Sequence, residues 1–314
     1  MTDEGAGMDP RPSKPRKFST VQFIGAASIV VALAVMALKY AAYLVTGSVA
    51  LYSDALESIV NLVAAVAALL AITFGARPAD KEHPFGHHKA EYFSAVLEGA
   101  LIIVAALLIF REAYDALLSP RDIEAFGLGM GLSAVATALN GVWAAFLIRR
   151  GRRYRSPALV ADGWHLLTDV LTSVGVIAGL LLAKATGIAL LDPLLAVAVA
   201  AYILWSGSKI AMASLSGLLD EAADADIQAR IRAAIKEGGG GALEAHGVRT
   251  RIAGPVVFIE FHLVVPGAMS VHEAHEICDR LEAALEAEIE GSDVVIHVEP
   301  EHKAEARTTG AIQL

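Results

Sequence analysis

The stretch FSTVQFIGAASIVVALAVMALKYAAYLV, Phe18–Val45, contains one charged side chain, Lys39. A helix needs about 20 mostly apolar residues to cross a bilayer, and this stretch exceeds that. Five more stretches of the same kind follow at Ser48–Phe74, Tyr92–Ala113, Phe126–Ile148, Leu159–Ala185 and Leu190–Met212. A soluble helical protein would have to cover six such helices, and the sequence between them is too short to supply that polar surface. The whole composition agrees: 55% of residues are apolar and 19% charged, against about 25% charged in soluble domains. A single cysteine, Cys278, excludes a disulfide scaffold, a cysteine-rich zinc module and an iron–sulfur site. It is expected to be a small packing residue in its helix.

Charge divides the chain in two. Residues 1–218 hold 17 Lys and Arg against 16 Asp and Glu, whereas residues 219–314 hold 8 against 18. The expected organisation is a basic tail (1–17), a six-helix membrane domain (18–213), an acidic soluble domain (214–303) and a short C-terminal tail (304–314). With a net charge of −9 no general nucleic-acid binder is expected. Lys and Arg gather in the first tail, in the second-to-third loop (Arg77, Lys81, Lys89) and in the fourth-to-fifth connection, read as a loop Arg149–Arg155. The positive-inside rule then puts both termini and the acidic domain in the cytoplasm of a multi-pass plasma or inner-membrane protein. The arginine cluster is a topology anchor that also meets anionic lipid.

Ionisable residues inside a span are costly, and by default they mark a functional path. Span two contains Asp54, Glu57 and Asn61; span five contains Asp162, His165 and Asp169 with the same offsets. Positions i, i+3 and i+7 share one helix face, so each span carries a polar stripe able to face the other. Glu57, Asn61, His165 and Asp169 make four ligands, the number a tetrahedral divalent transition metal takes. Oxygen with imidazole suits Zn²⁺, Fe²⁺, Mn²⁺ or Co²⁺ and disfavours soft Cu⁺. The plainer reading of such residues is polar glue between helices. Asp54 and Asp162, one turn away, are read as orienting or path-lining groups.

Beyond the spans, Asp224–Glu237 has helical spacing with Ile227, Ile231 and Ile235 on one side. Val248–Ile252, Val256–Val265 and Val294–Val298 read as strands. Ser270–Ile289 reads as a helix with a Ser270/Glu273 capping box. The order αββαβ predicts a small α+β sandwich. Its histidines are His246, placed just before the first strand, His262, His275 and His297, with Glu299 beside them.

Several motifs together resemble the cation diffusion facilitator family of divalent-metal/proton antiporters. They are Gly47-Ser48, the loop Pro78-Ala79-Asp80 through His83-Pro84-Phe85-Gly86-His87, Ala161-Asp162-Gly163 with His165-x-x-x-Asp169, and Asp192-Pro193. Val248-Arg249-Thr250-Arg251, Phe258-x-x-x-His262 and Val295-Ile296-His297 belong to the same set. The resemblance spans about Ser19 to Lys303.

The resemblance implies a transport site on spans two and five, at Glu57, Asn61, His165 and Asp169. Zinc members usually carry His or Asp, then Asp, in span two. The neutral Asn61 therefore implies weaker Zn²⁺ binding or a shift towards a metal that accepts neutral oxygen. The resemblance also implies a loop site at Asp80, His83 and His87, and a Lys89 that reaches Asp220. It further implies a binuclear metal site of His246, His262, His275, His297 and Glu299 at a dimer interface, in a ferredoxin-like, metallochaperone-like cytoplasmic domain. His272 and His302 match no role.

The function so implied is efflux of a divalent cation (Zn²⁺ favoured; Fe²⁺, Mn²⁺, Co²⁺ or Cd²⁺ as alternatives) in exchange for protons, by alternating access of a homodimer. No catalytic cofactor is expected, and the chain is read as a secondary transporter rather than an enzyme: it has no G-x-x-x-x-G-K-[ST] loop. The rival is a membrane-anchored metal sensor with little transport.

Overall fold

A computed structural model describes residues 16–46, 49–118, 128–186, 191–304 and 311–314. Six long helices come first: α1 (Arg16–Thr46), α2 (Val49–Gly75), α3 (Ala90–Leu118), α4 (Leu128–Tyr154), α5 (Pro157–Thr186) and α6 (Leu191–Leu218). Among the described residues five of them, all but α5, are long and apolar enough to cross a membrane by length and composition. Helix α5 carries Asp162, His165 and Asp169. It packs against α2, α3, α4 and α6, so its polar side chains are enclosed by other helices. Large apolar side chains such as Phe23, Val30, Leu70, Val104 and Val142 point outward, as a lipid-facing surface requires.

Helices α4 and α5 meet almost backbone to backbone. A Cβ on Gly163 would lie 2.8 Å from Ile148 Cγ1, and one on Gly151 would lie 2.8 Å from the Val160 nitrogen. Small residues at such crossings let membrane helices approach closely. This also corrects the arginine cluster. Arg149, Arg150, Arg152 and Arg153 lie on the last turns of α4, because the helix runs on to Tyr154. Only Arg155 and Ser156 connect α4 to α5.

The C-terminal domain follows as α7 (Ala225–Gly238), β1 (Glu244–Ala253), β2 (Val256–Val265), α8 (Val271–Glu288), β3 (Ser292–Pro300) and a short β4 (Ile312–Gln313). Asp224 caps α7 through the Ile227 nitrogen, and α8 opens with the full Ser270/Glu273 capping box. The sheet order is β3-β2-β1-β4, with β2 and β3 parallel and the other pairs antiparallel. Val257, Ile259, Phe261 and Leu263 of β2 pack with Ile227, Ile231 and Ile235 of α7 and with Ile277, Cys278, Leu281 and Leu285 of α8. Burial pushes the Cys278 thiol up from its ordinary pKa, as befits an inert core group. Because β2 alternates, His262 lies on the face away from the helices.

Candidate metal centres

Three groups of candidate ligands come together. In the helical domain Asn61, His165 and Asp169 are 3%, 5% and 6% exposed. The Asn61 amide donates to Asp169 Oδ2, and His165 Nε2 donates to Asn61 Oδ1 at 2.9 Å. One amide thus bridges an imidazole on α5 to a carboxylate one turn later, and each polar group satisfies the next. A cation entering here would replace these internal bonds with ligand bonds. Glu57 and Asp54 lie on α2, but their side chains fall outside the described residues. Asp162 is buried next to the Ser28 hydroxyl of α1.

The second group is in the connection between α2 and α3. Asp80 Oδ1 accepts the backbone N–H groups of Glu82 and His83, at 3.0 and 2.7 Å. A left-handed Gly86 then turns the chain back, so that His87 returns beside Asp80. His83 Nδ1 is 3.3 Å and His87 Nε2 3.4 Å from the Asp80 carboxylate. The His83 N–H is the main reason the Asp80 carboxyl sits below the usual range, which keeps it anionic and available to a cation. His88, next in sequence, is held below the ordinary histidine pKa by burial and takes no part in this cluster.

The third group is built by strand register. His246 pairs with His262 across β1 and β2, and His262 pairs with His297 across β2 and β3. Three imidazoles therefore stand in a row, with ring centroids 5.2 and 5.0 Å apart. Glu299 closes the row, at 3.4 Å from His246 Nε2, 3.2 Å from His262 Nδ1 and 3.7 Å from His297 Nε2. The donor set, imidazole nitrogens around one carboxylate, fits zinc chemistry.

His246 lies inside β1, not before it, because the strand begins at Glu244 and continues through a bulge between His246 and Arg249. Gly247 supplies the positive φ of that bulge. His275 is not brought to the row: it is 71% exposed on α8 and faces Asp279 at 3.7 Å. His272 pairs with Glu276 on the same helix.

Two residues of this third group escape sequence reading. Glu244, buried, meets His246 Nδ1 at 3.1 Å, and Gln313 of β4 donates to the other Glu244 oxygen at 3.0 Å. A carboxylate on the remote imidazole nitrogen fixes the tautomer and leaves Nε2 for the cluster. The period-2 spacing of Glu244 and His246 is the signal that finds it, once β1 is known to start that early.

The loop cluster is tied to the soluble domain. The Phe85 ring meets Phe258 edge-on at 5.7 Å. The Arg251 guanidinium lies over both rings, at 4.7 and 4.4 Å, and reaches Asp220 at 3.5 Å. Lys89 contacts the same Asp220 at 2.9 Å and the Leu218 carbonyl at 3.0 Å. Lys89, then Arg251, holds the Asp220 carboxyl below its ordinary range.

A bundle of apolar helices with buried imidazole and carboxylate groups, joined to an α+β domain with its own row of candidate ligands, is the architecture expected of a membrane metal-ion transporter. The chain belongs to the cation efflux family: the family's "Cation efflux transmembrane domain" matches residues 26–219, and its "Cation efflux protein, cytoplasmic domain" matches residues 223–301. The chain is 48% identical to the uncharacterized transporter sll1263 of Synechocystis sp. (strain ATCC 27184 / PCC 6803 / Kazusa), over 87% of this chain and 88% of that one. It is 32% identical to the cation-efflux pump FieF of Pectobacterium atrosepticum, over 91% of this chain and 95% of that one. A solved structure of the metal-bound C-terminal domain of the CzcD transporter from Thermotoga maritima is 34% identical. It covers 26% of this chain and 93% of that chain, with a TM-score of 0.24.

Proposed function

We propose that this membrane cation-efflux protein exports a divalent transition metal, Zn²⁺ foremost, from the cytoplasm in exchange for protons, working as a homodimer with both termini cytoplasmic. The observation that carries the reading is the meeting of Asn61, His165 and Asp169 inside the helical bundle, from two helices far apart in sequence. With Glu57 they form the transport site. Metal binding requires the imidazole nitrogen and the carboxylate in their deprotonated forms. Metal and protons therefore compete for the same atoms, which is the minimal basis of exchange.

Asp80, His83 and His87 are proposed to hold an exchangeable ion at the cytoplasmic mouth. His246, His262, His297 and Glu299 hold a regulatory metal in the soluble domain. We assign His275 to a second metal of that centre, completed by ligands of a second copy. Fe²⁺, Mn²⁺, Co²⁺ and Cd²⁺ fit the oxygen and nitrogen donors too, and the neutral Asn61 favours the metals that accept an amide oxygen.

The test is flux in liposomes of the purified protein under an opposing pH gradient. An antiporter moves metal and protons in linked amounts. Metal binding to the soluble domain without coupled flux would identify a membrane-anchored sensor instead.

A further inference from the structure

Helix α3 carries a buried acidic face that the transport site does not use. Glu91, Ser94 and Glu98 are spaced i, i+3, i+7, and all three are buried. The Ser156 hydroxyl, at the start of α5, donates to Glu91, and the Ser94 hydroxyl donates to Glu98 Oε1 at 3.2 Å. Glu98 is 0% exposed and its Oε2 has no hydrogen-bond partner among the described residues. Asp162 of α5 is 1% exposed and its Oδ2 is likewise without a partner. Its neighbour Ser28 accepts from Trp143 Nε1 at 2.9 Å, which leaves the Ser28 proton for Asp162. Helices α3 and α5 pack against each other, with Glu98 and Asp162 both buried between helices and their charges acting on one another.

Polar residues that merely glue helices together bring their polar atoms into hydrogen bonds across the bundle. Glu98 and Asp162 each leave one oxygen outside such bonds. Two carboxylates with one open oxygen each, deep in an apolar bundle, call for a cation between them.

Their depth is informative. At about 1.5 Å per residue, Glu98 lies roughly 10 Å along α3 from Glu91, and Asp169 roughly 10 Å along α5 from Asp162. The Glu91–Ser156 bond ties the starts of α3 and α5 together. Glu91 therefore marks the helix mouth, Glu98 and Asp162 the middle, and His165 with Asp169 the inner end.

We propose that Glu98 and Asp162, assisted by the Ser94 and Ser28 hydroxyls, form a second intramembrane station for divalent cations on the path between the Glu91 mouth and the Asn61, His165, Asp169 cluster. Its donors are all oxygen, so it holds the cargo loosely and passes it to the imidazole-containing site. The proposal rests on that cluster being the transport site.

The test uses the full-length protein in liposomes with Zn²⁺ as cargo. The part of the Co²⁺ absorption that Asp169→Ala abolishes serves as a separate reporter of the inner site. Glu98→Gln should lower flux at limiting Zn²⁺ by about tenfold or more while leaving that Co²⁺ band in place. Glu98→Asp, which keeps the charge, should regain most of the flux. Should Glu98→Gln not fold, Asp162→Asn takes its place with the same expected loss.

Wild-type flux in Glu98→Gln overturns the station, because Gln imitates a protonated, metal-free acid. So does a Glu98→Asp as slow as Glu98→Gln, because shape and not charge would then matter. Asp169→Ala retaining both flux and the Co²⁺ band would instead sink the inner site, and the two failures are read apart.

Discussion

Replacing Asn61 by Asp probes the transport site at its most unusual ligand. In the structure the Asn61 amide donates to Asp169 and its carbonyl accepts from His165. Asn61→Asp removes the donor and sets two carboxylates against each other beside groups, Asn61, His165 and Asp169, that are at most 6% exposed. Without metal the variant should lose about 1.5–3 kcal/mol of stability, the worth of a hydrogen bond to a charged group. With metal the sign reverses, because both carboxylates become ligands to a dication. The same order of energy, now favourable, corresponds to about ten- to hundredfold tighter Zn²⁺ binding.

Protons temper that gain. A proton shared between the metal-free carboxylates at the lower pH must leave when metal binds. The advantage should therefore be full near about pH 8 and smaller near about pH 6, with one more proton released per metal than in the wild type. Calorimetry in buffers of different ionisation enthalpy measures affinity and proton release together. An unchanged or weaker Zn²⁺ affinity at both pH values would refute Asn61 as a ligand.

Further outcomes are expected. Asp169→Ala should abolish coupled metal flux in liposomes while thermal melting in detergent falls by only about 1–3 kcal/mol, the cost of the unpartnered Asn61 amide; wild-type flux would remove Asp169 from the site. His262→Ala with His297→Ala should lengthen the distance between spin labels on the two soluble domains in the presence of Zn²⁺ and raise the metal concentration for half-maximal flux. Maximal flux should survive, and its loss would put these histidines on the transport path. Gly217→Ala drives a Cβ into the Tyr92 ring and should cost about 1–3 kcal/mol by overpacking, read from the melting temperature. Acid should loosen the Lys89–Asp220–Arg251 contact. The Asp220 carboxyl is depressed in the folded state, so its contribution is present above the ordinary Asp value of about 4 and is lost as pH falls through the lower folded value. Hydrogen exchange of the 77–89 connection should rise in that window and not above it.

The helical domain was legible from the sequence because hydropathy needs no tertiary information. Each of the six stretches overlaps one long helix, with Ser48, Phe126, Gly127 and Leu190 lying outside the described residues. The buried positions Asn61 on α2 and Asp162, His165 and Asp169 on α5 were legible through the i, i+3, i+7 spacing, and the contact of Asn61 with His165 and Asp169 is the tertiary fact that spacing alone could not supply. The soluble domain's helices showed through their isoleucine spacing and the Ser270 cap. Its ligand row did not, since it depends on register: His246 and His262 are level only because Gly247 bulges the strand. Strand β4 escaped because a two-residue strand has no period to detect. Glu98 escaped although Glu91, Ser94 and Glu98 repeat the same offsets, because its meaning comes from Asp162 on another helix.

The junction between the two domains bears on how the chain tolerates changes in length. Phe85 comes from the connection before α3, Arg155 from the turn before α5, and Asp220 and Glu221 from the end of α6. All of them fasten to the same small domain, at Phe258, the Glu290 carbonyl, Arg251 and the Ile252 nitrogen respectively. Surface connections ordinarily accept inserted residues at little cost. Here an inserted residue in any one of the three would pull its anchor out of step with the other two. Natural or engineered insertions should therefore be found elsewhere, and these connections should behave as parts of fixed length, closer to struts than to loops.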